Sequence, residues 1–164
     1  MHLVEQCLST RDQEPKALAC YGLLLQDRVG GKEEIWLRFV DGRPISSLTV
    51  QFLAWCCTRL EAAGKKALLL IWDNASWHSS RQVRQWLHEH NAQVKQSGQG
   101  VRIVCCFLPT KSPWLNPLEP NWLHAKRKVA EPARLLSAGE LADRICACVD
   151  CIHEEYLSIL ENLS

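Results

Sequence analysis

Two apolar runs constrain this chain more than anything else in it. Residues 67–72 (ALLLIW) and 101–108 (VRIVCCFL) are apolar at almost every position, and each passes directly into a polar, turn-forming sequence, DNASWHSS after the first and PTKSPWLNPLEP after the second. Runs of this length bounded by turn signals are strands. Strands apolar on both alternating sets imply a sheet covered by helices on both faces, the habit of parallel strands in α/β proteins. Each of the two turns carries one carboxylate, Asp73 in the first and Glu119 in the second.

The flanking segments supply the helices. Residues 48–60 place Leu48, Phe52, Trp55 or Cys56, and Leu60 on one face, with Ser46 or Ser47 as cap and Gly64 as the left-handed stop. Residues 79–94 return to helical period through Val83, Trp86 or Leu87, His90 and Val94, and residues 95–100 (KQSGQG) read as an exposed loop. Asn116, Pro117 and Glu119 suit cap, first turn and third position of a helix reaching about residue 129. Pro132 ends it, Ser137 and Glu140 form a capping box, and an apolar stripe through Leu141, Ile145, Ile152, Tyr156 and Ile159 predicts a long last helix toward Leu163. Upstream, residues 16–26 and 33–40 form a hairpin across a turn with two glycines. Residues 1–15 show no structural signal.

The predicted order is strand, strand, helix, strand, helix, strand, helix, helix: an α/β fold with a mixed sheet flanked by helices. The 164 residues allow one domain with a real core, and 47% hydrophobic with 23% charged residues argues against disorder. A net charge of +1 gives no global signal for nucleic acid, so DNA binding would need a local patch. No run is long enough to span a membrane, and the start of the chain does not read as a secretory signal. Nine cysteines, an odd number with two adjacent pairs, point to reduced thiols in a cytoplasmic protein.

The site candidates each have a plain structural reading beside the chemical one. Asp73 follows a buried strand at the edge where α/β sheets bind ligands, but Asp-Asn is also an ordinary turn pair. Glu119 can serve its own helix cap or present a rigid carboxylate to a metal. Two carboxylates are what a hard divalent ion such as Mg²⁺ uses beside phosphate oxygens, and two such ions about 4 Å apart serve phosphodiester chemistry. His78 is either a structural histidine or one that orients a ligand or binds a phosphate. Lys126, Arg127 and Lys128, with Lys111 nearby in sequence, are a solvated helix end or a contact to the DNA backbone. Cys146, Cys148, Cys151 and His153 have a superficial zinc-like spacing, but within one helix the cysteines would not share a face, so zinc is not expected.

WDNASWHSS followed by FLPTKSPWLNPLEPNWLHAKRKV resembles the catalytic core of a DDE-superfamily endonuclease, in particular bacterial insertion-sequence transposases related to the mariner group. The resemblance covers roughly residues 16–130, with residues 131–164 as a helix packed on or extending that core. It implies an RNase H-like fold and DNA, as transposon ends and target, for its partner. It further implies three carboxylates around two Mg²⁺ or Mn²⁺ ions that cleave a strand and transfer its 3′ end. Asp73 would be the second carboxylate and Glu119 the third, both metal ligands, supported by Asn74, His78, Asn116 and Pro117. Lys111, Lys126, Arg127 and Lys128 would contact DNA.

The family's first carboxylate should lie on a strand before the hairpin, and nothing before residue 16 reads as that strand. The expectation is therefore a transposase core missing its front and first strand, inactive alone, with exposed strand edges prone to association. The alternative is a non-catalytic fragment that associates with, or inhibits, the full-length transposase.

Overall fold

A computed structural model describes residues 2–5, 17–26, 31–129 and 136–159. The expected irregular stretch at 6–15, the helix break at Pro132 and the helix end at Leu163 lie outside these residues. The chain divides into two compact units, one formed by residues 1–43 and 117–158, the other by residues 44–116 and 159–164.

In the first unit, β1 (His2–Glu5), β2 (Ala17–Gln26) and β3 (Glu33–Val40) form an antiparallel sheet in the order β1-β2-β3. The hairpin is the predicted one, with Gly22 opposite Leu37 and Gln26 opposite Glu33. A strand does precede it, against expectation: residues 2–5 pair with residues 17–20, and β1 ends at Glu5. Four residues are too few for a periodicity signal, and their pairing is made by the partner strand.

Helices α3 (Glu119–Val129) and α4 (Ala138–Val149) complete this unit. Leu118, Trp122, Leu141, Ile145 and Cys146 pack with Leu18, Cys20, Leu37 and Phe39 into one core. The capping box forms as the sequence predicts, with the Ser137 hydroxyl accepting from the Glu140 N–H and the Glu140 carboxylate from the Ser137 N–H. The long last helix does not form. Asp150 turns left-handed (φ 54°), and the Cys151 N–H bonds back to the Cys146 carbonyl, which closes α4 at Val149. Residues 151–158 then run back along β3. Leu157 bridges Val40 in parallel, exchanging backbone bonds with Phe39 (2.8 Å) and Asp41 (2.9 Å), while Arg38 Nε donates to the Glu155 carbonyl at 2.8 Å. The apolar residues that continued the helical stripe instead serve an extended segment, where Tyr156 and His153 surround the Phe39 ring.

The second unit holds α1 (Ser46–Ala62), β4 (Ala67–Trp72), α2 (Arg81–Ser97) and β5 (Arg102–Phe107), with β4 and β5 paired in parallel. Among the described residues the strands thus form two sheets rather than one mixed sheet. Helix α1 starts after Ile45, which caps it without a side-chain bond, so neither predicted serine is the cap. Gly64 is left-handed as expected (φ 74°). Helix α2 is capped by Ser80 and absorbs residues 95–97 of the expected loop, stopping at left-handed Gly98.

The expectation of two covered sheet faces fails here. Burial alternates along β4, with Leu68, Leu70 and Trp72 inside while Leu69 is 64% and Ile71 54% exposed. Val104 on β5 is exposed on the register partner of Leu69. An all-apolar run reports affinity for an interior, not how many faces obtain one. Asn91 of α2 holds β5 by its edge, donating to the Ile103 carbonyl (2.8 Å) and accepting from the Ile103 N–H (2.9 Å). These two hydrogen bonds occupy backbone groups that a further strand would use.

Candidate active site

Asp73 is the first residue beyond β4. Its Oδ1 accepts the Ala75 N–H at 3.0 Å, closing an Asx turn, and meets His78 Nδ1 at 2.7 Å. A carboxylate has no hydrogen to give, so His78 Nδ1 is the donor. His78 is buried, its ring stacked on Trp72 (centroids 4.8 Å apart, planes 13° apart) and met edge-on by Trp77. The local backbone makes this possible: the His78 and Ser79 N–H groups both bond to the Ala75 carbonyl, curling the loop back before Ser80 starts α2.

The Asp73 carboxyl is held well below the usual carboxylate range. The His78 hydrogen bond is the largest cause, the Ala75 N–H adds to it, and partial burial opposes both. Asp73 is therefore an ionised oxygen donor, and its side chain is 45% exposed. Neither hydrogen bond uses Oδ2. His78 faces Asp73 from inside the fold, buried and bonded to its carboxylate.

Asn74 ties this loop to the next. Its side-chain amide donates to the Leu108 carbonyl at 2.6 Å, while the Leu108 N–H bonds to the Trp72 carbonyl at 2.8 Å. The loops leaving β4 and β5 therefore start from the same, carboxyl end of the parallel pair and are joined there. In the second loop Lys111 is exposed and left-handed (φ 59°). A 3₁₀ turn over Pro113–Leu115 follows, its Leu115 N–H bonded to the Ser112 carbonyl. Asn116 is half-buried at the end of this unit.

Glu119 belongs to the other unit and is built differently. Helix α3 starts at Glu119, not at Pro117, because the first helical bond runs from the Trp122 N–H to the Leu118 carbonyl. Glu119 is thus the first helical residue instead of the third, and Asn116 lies outside the cap position. Pro117 is exposed, and its carbonyl accepts from the Asn121 side chain at 3.2 Å. Packing fixes this helix start. A Cβ on Gly22 would stand 2.8 Å from the Trp122 ring and 3.1 Å from the Leu118 and Leu37 side chains, so the close seat of Trp122 on β2 uses the missing side chain at residue 22. The sequence marks Gly22 as an interruption in a strand, and that is the one signal of its role. Lys126, Arg127 and Lys128 are exposed in the last turn of α3.

The donor chemistry of Asp73 fits a hard divalent cation: a charged oxygen, partly open to solvent, held by its loop. Among the described residues no group of three or more His, Cys, Asp or Glu is gathered to hold a metal ion. Magnesium-type ions keep waters and substrate oxygens, so a closed protein cage is not what they require. The cysteines of α4 serve packing. Cys146 is buried with its thiol pushed up, chiefly by its hydrogen bond with Cys151, and burial holds the neighbouring Cys20 thiol up at about 12. His153 pairs with Asp143 at 2.5 Å.

No helix among the described residues is long and apolar enough to cross a membrane. No curated protein and no solved structure matches the chain. One family does, described as DDE superfamily endonuclease, and it matches residues 32–142, a span that includes Asp73, His78 and Glu119. With the match covering well over half its length, the chain belongs to the DDE superfamily of endonucleases.

Proposed function

We propose that this chain carries transposase chemistry on DNA, of the bacterial insertion-sequence branch related to mariner elements, with Asp73 and Glu119 as metal-binding catalytic carboxylates. The observation that carries the reading is the Asp73 loop, where a buried, stacked histidine holds an ionised carboxylate at the carboxyl end of a parallel strand pair. Mg²⁺ or Mn²⁺ bound there would lower the pKa of an attacking water or 3′-hydroxyl and offset charge on the leaving oxygen. His78 holds Asp73 in one orientation and in its charged form. Asn74 keeps the two loops at the sheet end together. Lys111, Lys126, Arg127 and Lys128 take backbone phosphates.

The finer fold reading is an RNase H-like core in residues 16–130, with residues 131–164 packed on or extending it. It is supported by the strand directions within each sheet, antiparallel in β1-β2-β3 and parallel in β4-β5. Two of the family's three carboxylates are assigned, so activity of this chain alone is expected to be low. The test is nicking of supercoiled DNA in Mg²⁺ or Mn²⁺, which Asp73→Asn should abolish; nicking that survives the substitution overturns the proposal.

A second reading has its own observation. The bare apolar residues Leu69, Ile71 and Val104 suit a non-catalytic chain that associates with itself or with a larger transposase and inhibits it. Capture of intact transposase together with absence of nicking would favour it.

A further inference from the structure

The structure assigns Trp114 a role that the metal site does not cover: we propose that it is a stacking platform for an unpaired nucleobase of the DNA next to the scissile phosphate. The inference rests on the nuclease reading for its partner, and on the placement of this indole for the rest. At 74% exposure Trp114 is the most exposed of the large apolar side chains described. Its backbone lies in the 3₁₀ turn over Pro113–Leu115, which the Leu115 N–H closes on the Ser112 carbonyl.

The loop that carries it leaves β5 at the end of the sheet where Asp73 leaves β4, and Asn74 bonds the two loops together. The same loop also carries Lys111, exposed and left-handed in its backbone. The two loops joined at that sheet end thus carry between them an ionised oxygen donor, an exposed cation and an exposed aromatic face. That is the combination by which single-stranded nucleic acid is held, with charge tracking the backbone and an aromatic ring taking a base. A fully paired duplex hides its base faces in the stack, so the ligand class is DNA with an unpaired or frayed end rather than continuous duplex.

The experiment compares fluorescence anisotropy of a labelled blunt duplex with the same duplex bearing a single-stranded 3′ overhang, in Ca²⁺ at fixed ionic strength. The native chain should prefer the overhang. Trp114→Ala should lose that preference, binding the overhang roughly tenfold more weakly while blunt-duplex binding barely changes, and Trp114→Phe should retain most of it. Circular dichroism of each variant checks the fold, which an exposed side chain should leave intact. Equal binding of the overhang by Trp114→Ala and the native chain overturns the inference. So does an equal loss on both DNAs, or a native chain without preference. If nicking depends on Asp73 while Trp114→Ala binds normally, the stacking role falls alone. If Trp114→Ala loses the overhang while nicking survives Asp73→Asn, the nuclease reading falls alone.

Discussion

Asp73 and Glu119 are candidates for one job, yet the fold holds them by opposite means. Asp73 sits in a loop and is held by side-chain bonds from within that loop, to Ala75 and to a histidine buried against Trp72. Glu119 sits on a helix and is placed by how that helix packs, with Leu118 and Trp122 seated over the bare backbone of Gly22. The first arrangement sets charge as well as position, and the second places the helix start that carries Glu119. A catalytic carboxylate can thus be prepared by local chemistry or by the core beneath it, and substitutions should tell the two apart.

The largest effect is expected from Asp73→Asn, which keeps the loop's shape and removes the charge: loss of metal-dependent nicking to background, with little change in stability. Next is Gly22→Ala. It forces Trp122 and Leu118 outward and should cost about 2–3 kcal/mol by urea unfolding, an overpacking penalty that Asp73→Asn lacks. If Gly22→Ala is as stable as the native chain, Glu119 is not positioned by packing. His78→Ala should cost about 2 kcal/mol through the lost stack and hydrogen bond, and lower nicking roughly 10–100-fold. A smaller effect, about 1 kcal/mol, is expected from Asn74→Ala, which unties the two loops; its nicking should fall without a change in metal dependence.

The smallest effect is a pH dependence. The folded Asp73 pKa lies below its ordinary value of 3.8, so its contribution is fully present above that pH and is lost as pH falls toward the folded value. Because this side chain is 45% exposed, solvent screening should keep the contribution below about 1 kcal/mol. The stability gap between native chain and Asp73→Asn should therefore hold steady down to about pH 4 and narrow below it. A gap that widens on acidification would contradict the His78 hydrogen bond as the cause.

Much of the second unit was legible in the residues. Strand β4 and the turn that delivers Asp73 were marked by an apolar run meeting Asp-Asn, and Gly64 by its place after a helix. The hairpin and the Ser137 capping box were legible for the same reason, since each signal and its consequence lie within a few residues. The start of α3 was misread by two residues because Asn116-Pro117 satisfies a local capping rule, while packing of Leu118 and Trp122 decides where the helix begins. The length of α4 was misread because a helical stripe through Ile152 and Tyr156 equally suits an extended segment returning to Phe39. The exposure of Trp114 has no signal in the sequence, since tryptophan is a residue type usually buried.

The sequence alone determined the local elements that carry the candidate site: which runs are strands, where the turns fall, and that Asp73 and Glu119 follow them. It could do so because turn propensity, apolar periodicity and the two family blocks act over short stretches of chain. Only tertiary structure decided that residues 2–5 pair with β2, that one face of β4 stays bare, and that His78 turns inward to charge Asp73. Those outcomes depend on contacts with distant strands and rings, on how many faces of an apolar run find a covering, and on the room that a missing side chain at Gly22 leaves for α3.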